Sequence, residues 1–256
     1  MEFLDMVLGN LVVFQIVTEI IQATIGVGMC YGALKWRKGL LTTTAIGWGF
    51  VLGVLFAFLF RDILGGAGAL TCVVVGVLVM PILTYTSFAV NRFVLGFLVS
   101  CKLLIMLTTV LAKEGMIDIQ TTIMLPLIGG TIVGLILMAC TNVSVSAFVL
   151  GCSFIGATEI ASVISEWINR LLFTTTGDYG YLIDPIDMIF AFFKIELTDM
   201  WMLISMVIFM SLGSLSQIKR LKKNNIPLNT PVIVYESMTG PNGRMYTTNG
   251  HIDTKW

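Results

Sequence analysis

The sequence predicts an all-α integral membrane protein: a bundle of seven transmembrane helices, N-terminus out and C-terminus in, with a short β-hairpin-like cytoplasmic tail. Three observations predict this fold class. Of the 256 residues, 57% are hydrophobic and only 12% are charged, which is about half the usual charged share. The apolar residues form long stretches, and short charged segments separate them. The sign of these segments changes in the manner typical of multi-pass membrane proteins.

A helix needs about 20 predominantly apolar residues to cross the hydrocarbon layer, which is ~30 Å thick. Seven stretches meet this requirement and predict a transmembrane bundle over residues 1–218. The predicted spans are 11–34, 40–60, 66–86, 92–112, 119–140, 143–165 and 198–217. The first follows MEFLDMVLGN, which lacks the basic region and the cleavage site of a signal peptide. We therefore expect a retained anchor.

The charged segments between the spans predict the orientation. Cations predominate in KWRK (35–38), at Arg92 and in KRLKK (219–223), whereas the intervening segments are neutral or acidic. Cation-rich loops stay on the cytoplasmic side, so the N-terminus is expected outside and the C-terminus inside. Trp167 and Trp201 then fall at the outer boundary, where tryptophan is enriched.

The connection 166–197 is the one long external loop of this topology, and it carries five acidic residues against two cations. Within it, IDMIFAFFKIEL (186–197) is apolar but too short to span the bilayer. We expect this stretch either to lie at the outer interface or to re-enter the membrane and pack on the bundle.

Residues 219–256 form a basic juxtamembrane segment and a cytoplasmic tail. The tail alternates apolar and polar residues over 229–250 around Pro241-Asn242-Gly243, a pattern that predicts a small hairpin. An isolated hairpin is marginally stable. Residues 224–256 are therefore expected to dock on a cytoplasmic partner or to stay mobile.

Three predicted spans contain the Gly-x-x-x-Gly spacing. The glycine pairs are Gly28 and Gly32, Gly49 and Gly53, and Gly130 and Gly134. Because little hydrophobic force draws helices together in lipid, small residues at this spacing allow backbones to approach and pack. The glycines predict tight helix packing, within one chain or between copies.

Lys102 lies inside an apolar span, about ten residues from its outer end. A lysine at this depth costs ~3 kcal/mol on insertion scales, and it needs a partner. Glu19 and Glu159 lie at comparable depth, ~9–15 Å below the outer surface at 1.5 Å per residue. The sequence is compatible with a Lys102–Glu19 pair, a Lys102–Glu159 pair, or a cluster of all three.

Gln15, Glu19 and Gln22 are spaced i, i+4, i+7, so they share one face of the first helix. Polar faces avoid lipid, and we expect this one to point toward Lys102 and Glu159. The cluster has a functional interpretation as a hydrophilic path or binding site. Its structural interpretation is a polar contact that selects which helices become neighbours.

The stretch CYGALKWRKGLLTTTAIGWGFVLGVLF, followed by glycine-spaced helices in 66–86, 92–112 and 119–140, resembles the transmembrane protein 198-like family. The resemblance covers roughly 25–217. It implies a self-associating seven-helix bundle with a cytoplasmic C-terminus. Bacterial members have no assigned activity, and some animal relatives are described as membrane scaffolds in signalling. The polar first helix, the acidic external loop and the tail depart from the family pattern.

Several function classes find no support in the sequence. The net charge is zero, so a nucleic-acid partner is not expected. The five cysteines have no C-x-x-C spacing and the one histidine lies in the tail, which predicts no metal and no cofactor. No phosphate-binding loop or hydrolase motif occurs, so we expect a non-enzyme.

Two hypotheses remain. The first is a structural or scaffolding subunit of a membrane complex in the plasma or cytoplasmic membrane, with the lipid bilayer, further copies of the chain or other membrane proteins as partners. The second is a small channel or secondary transporter that uses Glu19, Lys102 and Glu159. Transporter sites are typically built from paired interrupted helices, and no such pair is obvious in the sequence.

Overall fold

The computed structural model describes residues 2–59, 61–140, 142–176, 200–232, 245–246 and 252–253. In this part of the chain the main elements are helices, joined by short connections. The helices are α1 (Glu2–Leu59), α2 (Arg61–Thr86), α3 (Phe88–Lys113), α4 (Ile119–Ala139), α5 (Val145–Thr176) and α6 (Met200–Lys223), and the strands are β1 (Met245–Tyr246) and β2 (Ile252–Asp253).

Four segments of these helices are long and apolar enough to cross a membrane. They are Ile16–Lys35, Ala89–Ala112, Val145–Ile168 and Trp201–Lys223, and they coincide with the predicted first, fourth, sixth and seventh spans. The predicted third and fifth spans contain shorter apolar helices, Leu70–Tyr85 and Met124–Ala139. The chain is therefore helical and has the character of a membrane protein, with four candidate spans among the described residues.

Helix α1 changes direction sharply between Gly28 and Leu40. In a straight helix these positions would be about 18 Å apart. Instead, the side chain of Leu40 lies against Gly28, where an added Cβ atom would come within 2.6 Å of Leu40 Cδ2. The predicted loop at 35–38 is thus not a separate connection, because these residues remain within α1. In place of the expected loop, the helix bends.

Gln217 of α6 inserts its side-chain amide at this bend. Its Nε2 donates to the carbonyl of Cys30 at 2.6 Å, and its Oε1 accepts from the main-chain N–H of Leu34 at 3.3 Å. In a regular helix these two main-chain groups pair with each other. A side chain that competes for them is a recognised cause of helix bending. At the bend, α6 thus supplies two hydrogen bonds to the main chain of α1.

The helices pack as neighbours with close backbone contacts at glycine. Gly49 and Gly53 in the second half of α1 meet α2, where a Cβ atom on Gly53 would lie 2.6 Å from Val73 Cα. Gly130 and Gly134 of α4 meet α3 in the same way. The first half of α1 packs on α5 and α6. Gly28 lies against Leu40, and Gly32 is buried. The glycine contacts described here are all within one chain.

Several helix ends meet at one end of the bundle. Arg220, in the last turn of α6, donates from Nη1 to the carbonyl of Tyr31 at 2.8 Å. Arg92, near the start of α3, donates from Nη1 to the carbonyl of Cys140, just after α4. The start of α5 contacts residues 228–232. The basic segments that the sequence assigns to one side of the membrane therefore lie at the same end.

The segment after α6 returns to the bundle and covers the start of α5. Val145 N–H donates to the carbonyl of Thr230 at 2.8 Å, and Val232 N–H donates to the carbonyl of Val143 at 2.8 Å. Ile226 and Val232 are buried in the main apolar core. The first part of the tail thus docks on its own chain. The segment also supplies acceptors for two of the four N–H groups that a helix start leaves without an intrahelical partner, those of Val145 and Ser146.

Strands β1 and β2 pair antiparallel, with Met245 opposite Asp253 and Tyr246 opposite Ile252. Their connection is therefore 247–251. Pro241-Asn242-Gly243, which was expected to form the turn, precedes β1 and lies outside the described residues. Residues 186–197, the predicted interfacial or re-entrant stretch, also lie outside them.

Candidate functional site: an intramembrane polar cluster

Lys102 of α3 forms an ion pair with Glu159 of α5. Lys102 Nζ lies 2.6 Å from Glu159 Oε1, and the two side chains are only 3% and 6% exposed. Lys102 is ten residues from Ala112, the end of its candidate span, so it lies about 15 Å along the helix from that end. Of the pairings that the sequence left open, the structure forms the one with Glu159.

The other carboxylate oxygen of Glu159 accepts a hydrogen bond from α1. Gln22 Nε2 lies 2.6 Å from Glu159 Oε2 and 3.0 Å from Ser162 Oγ. Ser162 Oγ in turn donates to the main-chain carbonyl of Glu159 at 2.9 Å. We call Lys102, Glu159, Gln22 and Ser162 the polar cluster. It joins helices α1, α3 and α5 through short, charge-assisted contacts.

Close approach of α1 and α5 allows these side chains to meet. Where the helices cross, a Cβ atom on Gly26 would lie 2.8 Å from the carbonyl oxygen of Gly156, and one on Gly156 would lie 2.8 Å from the backbone nitrogen of Cys30. Gln22 is one turn from Gly26, and Glu159 is one turn from Gly156. The helices therefore touch where glycine has no side chain, and the polar residues one turn away come within hydrogen-bonding distance.

Glu19 precedes Gln22 by about one turn of α1, so it lies farther from Tyr31 and the bend. It is only 4% exposed, and its Oε2 accepts a hydrogen bond from Trp167 Nε1 at 2.6 Å. Trp167 is 48% exposed, so the indole covers the carboxylate from the surface. The predicted face of α1 thus reaches α5 at two levels. Gln15 belongs to α1 as predicted, and its side chain is outside the described part.

The charges of the polar cluster cancel within it. Bringing an ion pair out of water is costly, and the cost is recovered only when geometry is good and the remaining polar atoms are hydrogen-bonded. Here both oxygens of Glu159 have donors at 2.6 Å. The arrangement can therefore hold three helices in a defined order, and each charge is compensated by a neighbouring helix.

Two contributions were not predicted from the sequence. Trp167 was expected only to lie at the membrane boundary, and nothing in its position indicated a carboxylate partner. Gln217 falls on the last residue of a predicted span, where a polar residue usually marks the boundary. Its burial to 1% exposure and its further bond to Ser153 Oγ at 3.4 Å depend on α6 packing closely on α1. Gly213, one turn earlier and in contact with Cys30, is the signal that could have indicated this packing.

Comparison with protein-family models, with curated proteins and with solved structures found no match to this chain. Among the residues described, no three His, Cys, Asp or Glu side chains are grouped so that they could hold a metal ion.

Proposed function

We propose that this chain is a non-enzymatic multi-pass membrane protein that acts as a structural or scaffolding subunit of a membrane complex. One observation carries the proposal: Lys102 and Glu159 are buried, 2.6 Å apart, and further hydrogen-bonded by Gln22. Charges within a membrane are costly and mark functional pathways by default. Charges that neutralise one another and connect three helices are explained by a structural role.

Exposed apolar faces support assembly with other membrane proteins or further copies. The apolar stretches Leu70–Tyr85 of α2 and Met124–Ala139 of α4 expose large apolar side chains, among them Leu78, Ile82 and Ile132. In a membrane such faces meet lipid or pack against another helix.

The proposed topology has seven spans, with the N-terminus outside and the C-terminus inside the plasma or cytoplasmic membrane. The meeting of the basic segments around Tyr31, Arg92 and Arg220 at one end supports it, because cation-rich ends stay cytoplasmic. Reporter fusions placed at residues 115 and 225 test it. The fusion at 115 should be active only outside, and the fusion at 225 only inside.

The structural role is tested in native membranes by mild solubilisation and native electrophoresis. The 28.0 kDa chain should migrate in a larger assembly. Lys102→Met should reduce that assembly together with the folded fraction of the chain. Migration as a single 28.0 kDa unit, with the protein folded and active in solute flux, would refute the scaffold proposal.

A second candidate function, a small channel or transporter, is favoured by a different observation. Trp167, Glu19, Gln22, Glu159 and Lys102 form a row of polar groups from the surface toward the middle of the bundle. A hydrophilic path needs such a row. Proteoliposomes carrying a pH-sensitive or cation-sensitive dye test it: transport requires flux above that of empty vesicles, and Glu159→Gln should abolish that flux while the protein stays folded.

A further inference from the structure

Three methionines of α6 form a row on the side of the helix that faces the protein. Met202, Met206 and Met210 are spaced i, i+4, i+8, so they lie one above another along about 12 Å of the helix. Met202 is 2% exposed, and the other two are partly buried. We call these three residues the methionine row.

The methionine row packs on small residues of α5. Its members belong to, or pack against, the apolar clusters that contain Ala157 and Ala161, which are both fully buried and lie one turn apart. Because alanine ends at Cβ, the long methionine side chains fill the space between the two helices. A methionine side chain has three rotatable bonds, so its sulfur can turn toward a neighbouring sulfur without a movement of the backbone.

Cys30 of α1 adds a further sulfur at the end of the row nearest the α1 bend. Cys30 is fully buried and belongs to the cluster on which Met206 and Met210 pack. Gly213, three residues after Met210, contacts it, since a Cβ atom on Gly213 would lie 3.0 Å from Cys30 Cβ. Soft sulfur atoms thus follow one another along α6 from Met202 to the bend.

The choice of methionine for this row has a cost. Burying a methionine loses more side-chain entropy than burying a leucine or an isoleucine. The exposed side of α6 uses branched aliphatic residues, namely Ile204, Val207, Ile208, Leu212 and Leu215. Among the α6 side chains that the structure describes, methionine occurs only in the row. This distribution indicates a role for the sulfur atoms in addition to packing.

The chemistry of the row matches a soft metal ion. Thioether sulfur selects soft ions, of which Cu(I) is the biological example. Side chains at i and i+4 have Cβ atoms about 5–6 Å apart, so two flexible methionines can place their sulfurs on one ion. Thioethers carry no charge, and an ion therefore brings its full charge into an apolar site, which costs less for a monovalent than for a divalent ion.

We propose that the methionine row binds a soft monovalent cation of the Cu(I) class through pairs of thioethers, with Cys30 as the next sulfur toward the bend. The Cys30 thiol donates to the carbonyl of Ser153 at 3.5 Å, so it also joins the row as an uncharged group. The absence of a metal was expected from cysteine and histidine alone, and thioethers are a separate donor class. The proposal goes beyond the structural role and needs only the packing of α6 on α5 and α1.

The test is a calorimetric titration of the full-length chain in neutral detergent with Ag(I), a soft monovalent ion that is stable in air. The titrated protein carries Cys72→Ala and Cys140→Ala, because these two cysteines are not buried and would bind the ion by themselves. Unfolding curves recorded before each titration establish that the protein is folded.

The test variant adds Met202→Leu and Met206→Leu, a pair of volume-conserving changes that cores tolerate well. Its matched control adds Met80→Leu in α2 and Met138→Leu in α4, which removes two thioethers outside the row. The proposal predicts that the test variant binds Ag(I) at least tenfold more weakly than the parent and that the control variant binds within twofold of it. A large excess of Na⁺ or Mg²⁺ should not displace Ag(I).

An unchanged affinity in the test variant would overturn the proposal, as would an equal loss in the control variant or displacement of Ag(I) by Na⁺ or Mg²⁺. A second measurement needs no change in the row. In the parent protein with ¹³C-labelled methionine methyl groups, Ag(I) should shift the NMR signals of Met202 and Met206 and leave that of Met138 in place. Signals of the row that stay unchanged at saturating Ag(I) would also overturn the proposal.

Discussion

Gln217 Nε2 of α6 donates to the main-chain carbonyl of Cys30 in α1 at 2.6 Å, at the place where α1 bends. The same side chain accepts from Leu34 N–H. One residue thus provides both a donor and an acceptor to the bent helix, and it does so from a position 183 residues after Leu34. The bend and the packing of α6 therefore depend on each other.

Gln217→Leu should destabilise the fold by about 1–3 kcal/mol, because it removes the hydrogen bonds of a buried amide to the carbonyl of Cys30 and the N–H of Leu34. Gln217→Glu should be worse, since a carboxylate cannot donate to the carbonyl of Cys30. Equilibrium unfolding in mixed micelles measures both changes. Ser211→Ala, on the exposed side of α6, is the control and should change the unfolding free energy by less than ~0.5 kcal/mol. A Leu variant as stable as the control would show that the bend does not need Gln217.

Gly156→Ala should destabilise the crossing of α1 and α5 by several kcal/mol, because the added methyl group overlaps the backbone of α1 near Gly26 and Cys30. The matched control is Gly39→Ala, since a Cβ atom at Gly39 meets nothing within 4 Å. That change should be neutral, or stabilising by up to ~1 kcal/mol from helix propensity. Unfolding curves of the two variants distinguish these outcomes. Equal stability of the two would contradict the tight crossing.

Trp167→Phe should destabilise the protein by about 1.5–3 kcal/mol, the range for a hydrogen bond to a charged group, because it removes the donor to Glu19. In a double-mutant cycle with Glu19→Gln, the two changes should be non-additive, since each breaks the same contact. The measurement is again equilibrium unfolding. Additive effects would mean that the indole stabilises the fold through its apolar surface alone.

A chain truncated after residue 232 should keep nearly full stability, whereas one truncated after residue 223 should lose several kcal/mol. The shorter chain lacks the buried residues Ile226 and Val232, and each buried side chain of this size contributes about 1.5–3 kcal/mol. The chain truncated after residue 223 also lacks Thr230, whose carbonyl accepts from Val145 N–H. Thermal unfolding of both truncations checks this difference. Equal melting temperatures would show that the docked segment contributes nothing to the fold.

The depth of the buried charges could be predicted from the sequence, but their pairing could not. Position along a helix follows from 1.5 Å per residue, which places Lys102, Glu19 and Glu159 at similar levels. The choice of partner depends on which helix faces meet. In the structure Lys102 meets Glu159 of α5, whereas Glu19 accepts from Trp167, and glycine spacing alone does not identify the partner helix.

Local sequence pattern predicts that the chain changes direction near 35–38 and in the tail, but not the conformation found at either place. The basic segment 35–38 predicts a connection between two helices, whereas the structure bends within α1 near these residues, where Gln217 bonds the main chain of Cys30 and Leu34. In the tail, alternation extends over the whole segment, so it predicts a hairpin without its register. The strand pair accordingly begins at Met245, two residues after Gly243, and its connection is 247–251.

The most direct test of the structural role is a double-mutant cycle on Lys102→Met and Glu159→Gln, measured by equilibrium unfolding of the purified protein in mixed micelles. Each single change leaves an unpaired partner in a buried site and should cost about 3–5 kcal/mol, whereas the double variant should recover at least half of the summed loss. Single variants as stable as the unmodified chain, or strictly additive losses in the double variant, would contradict the account of Lys102 and Glu159 as a structural pair.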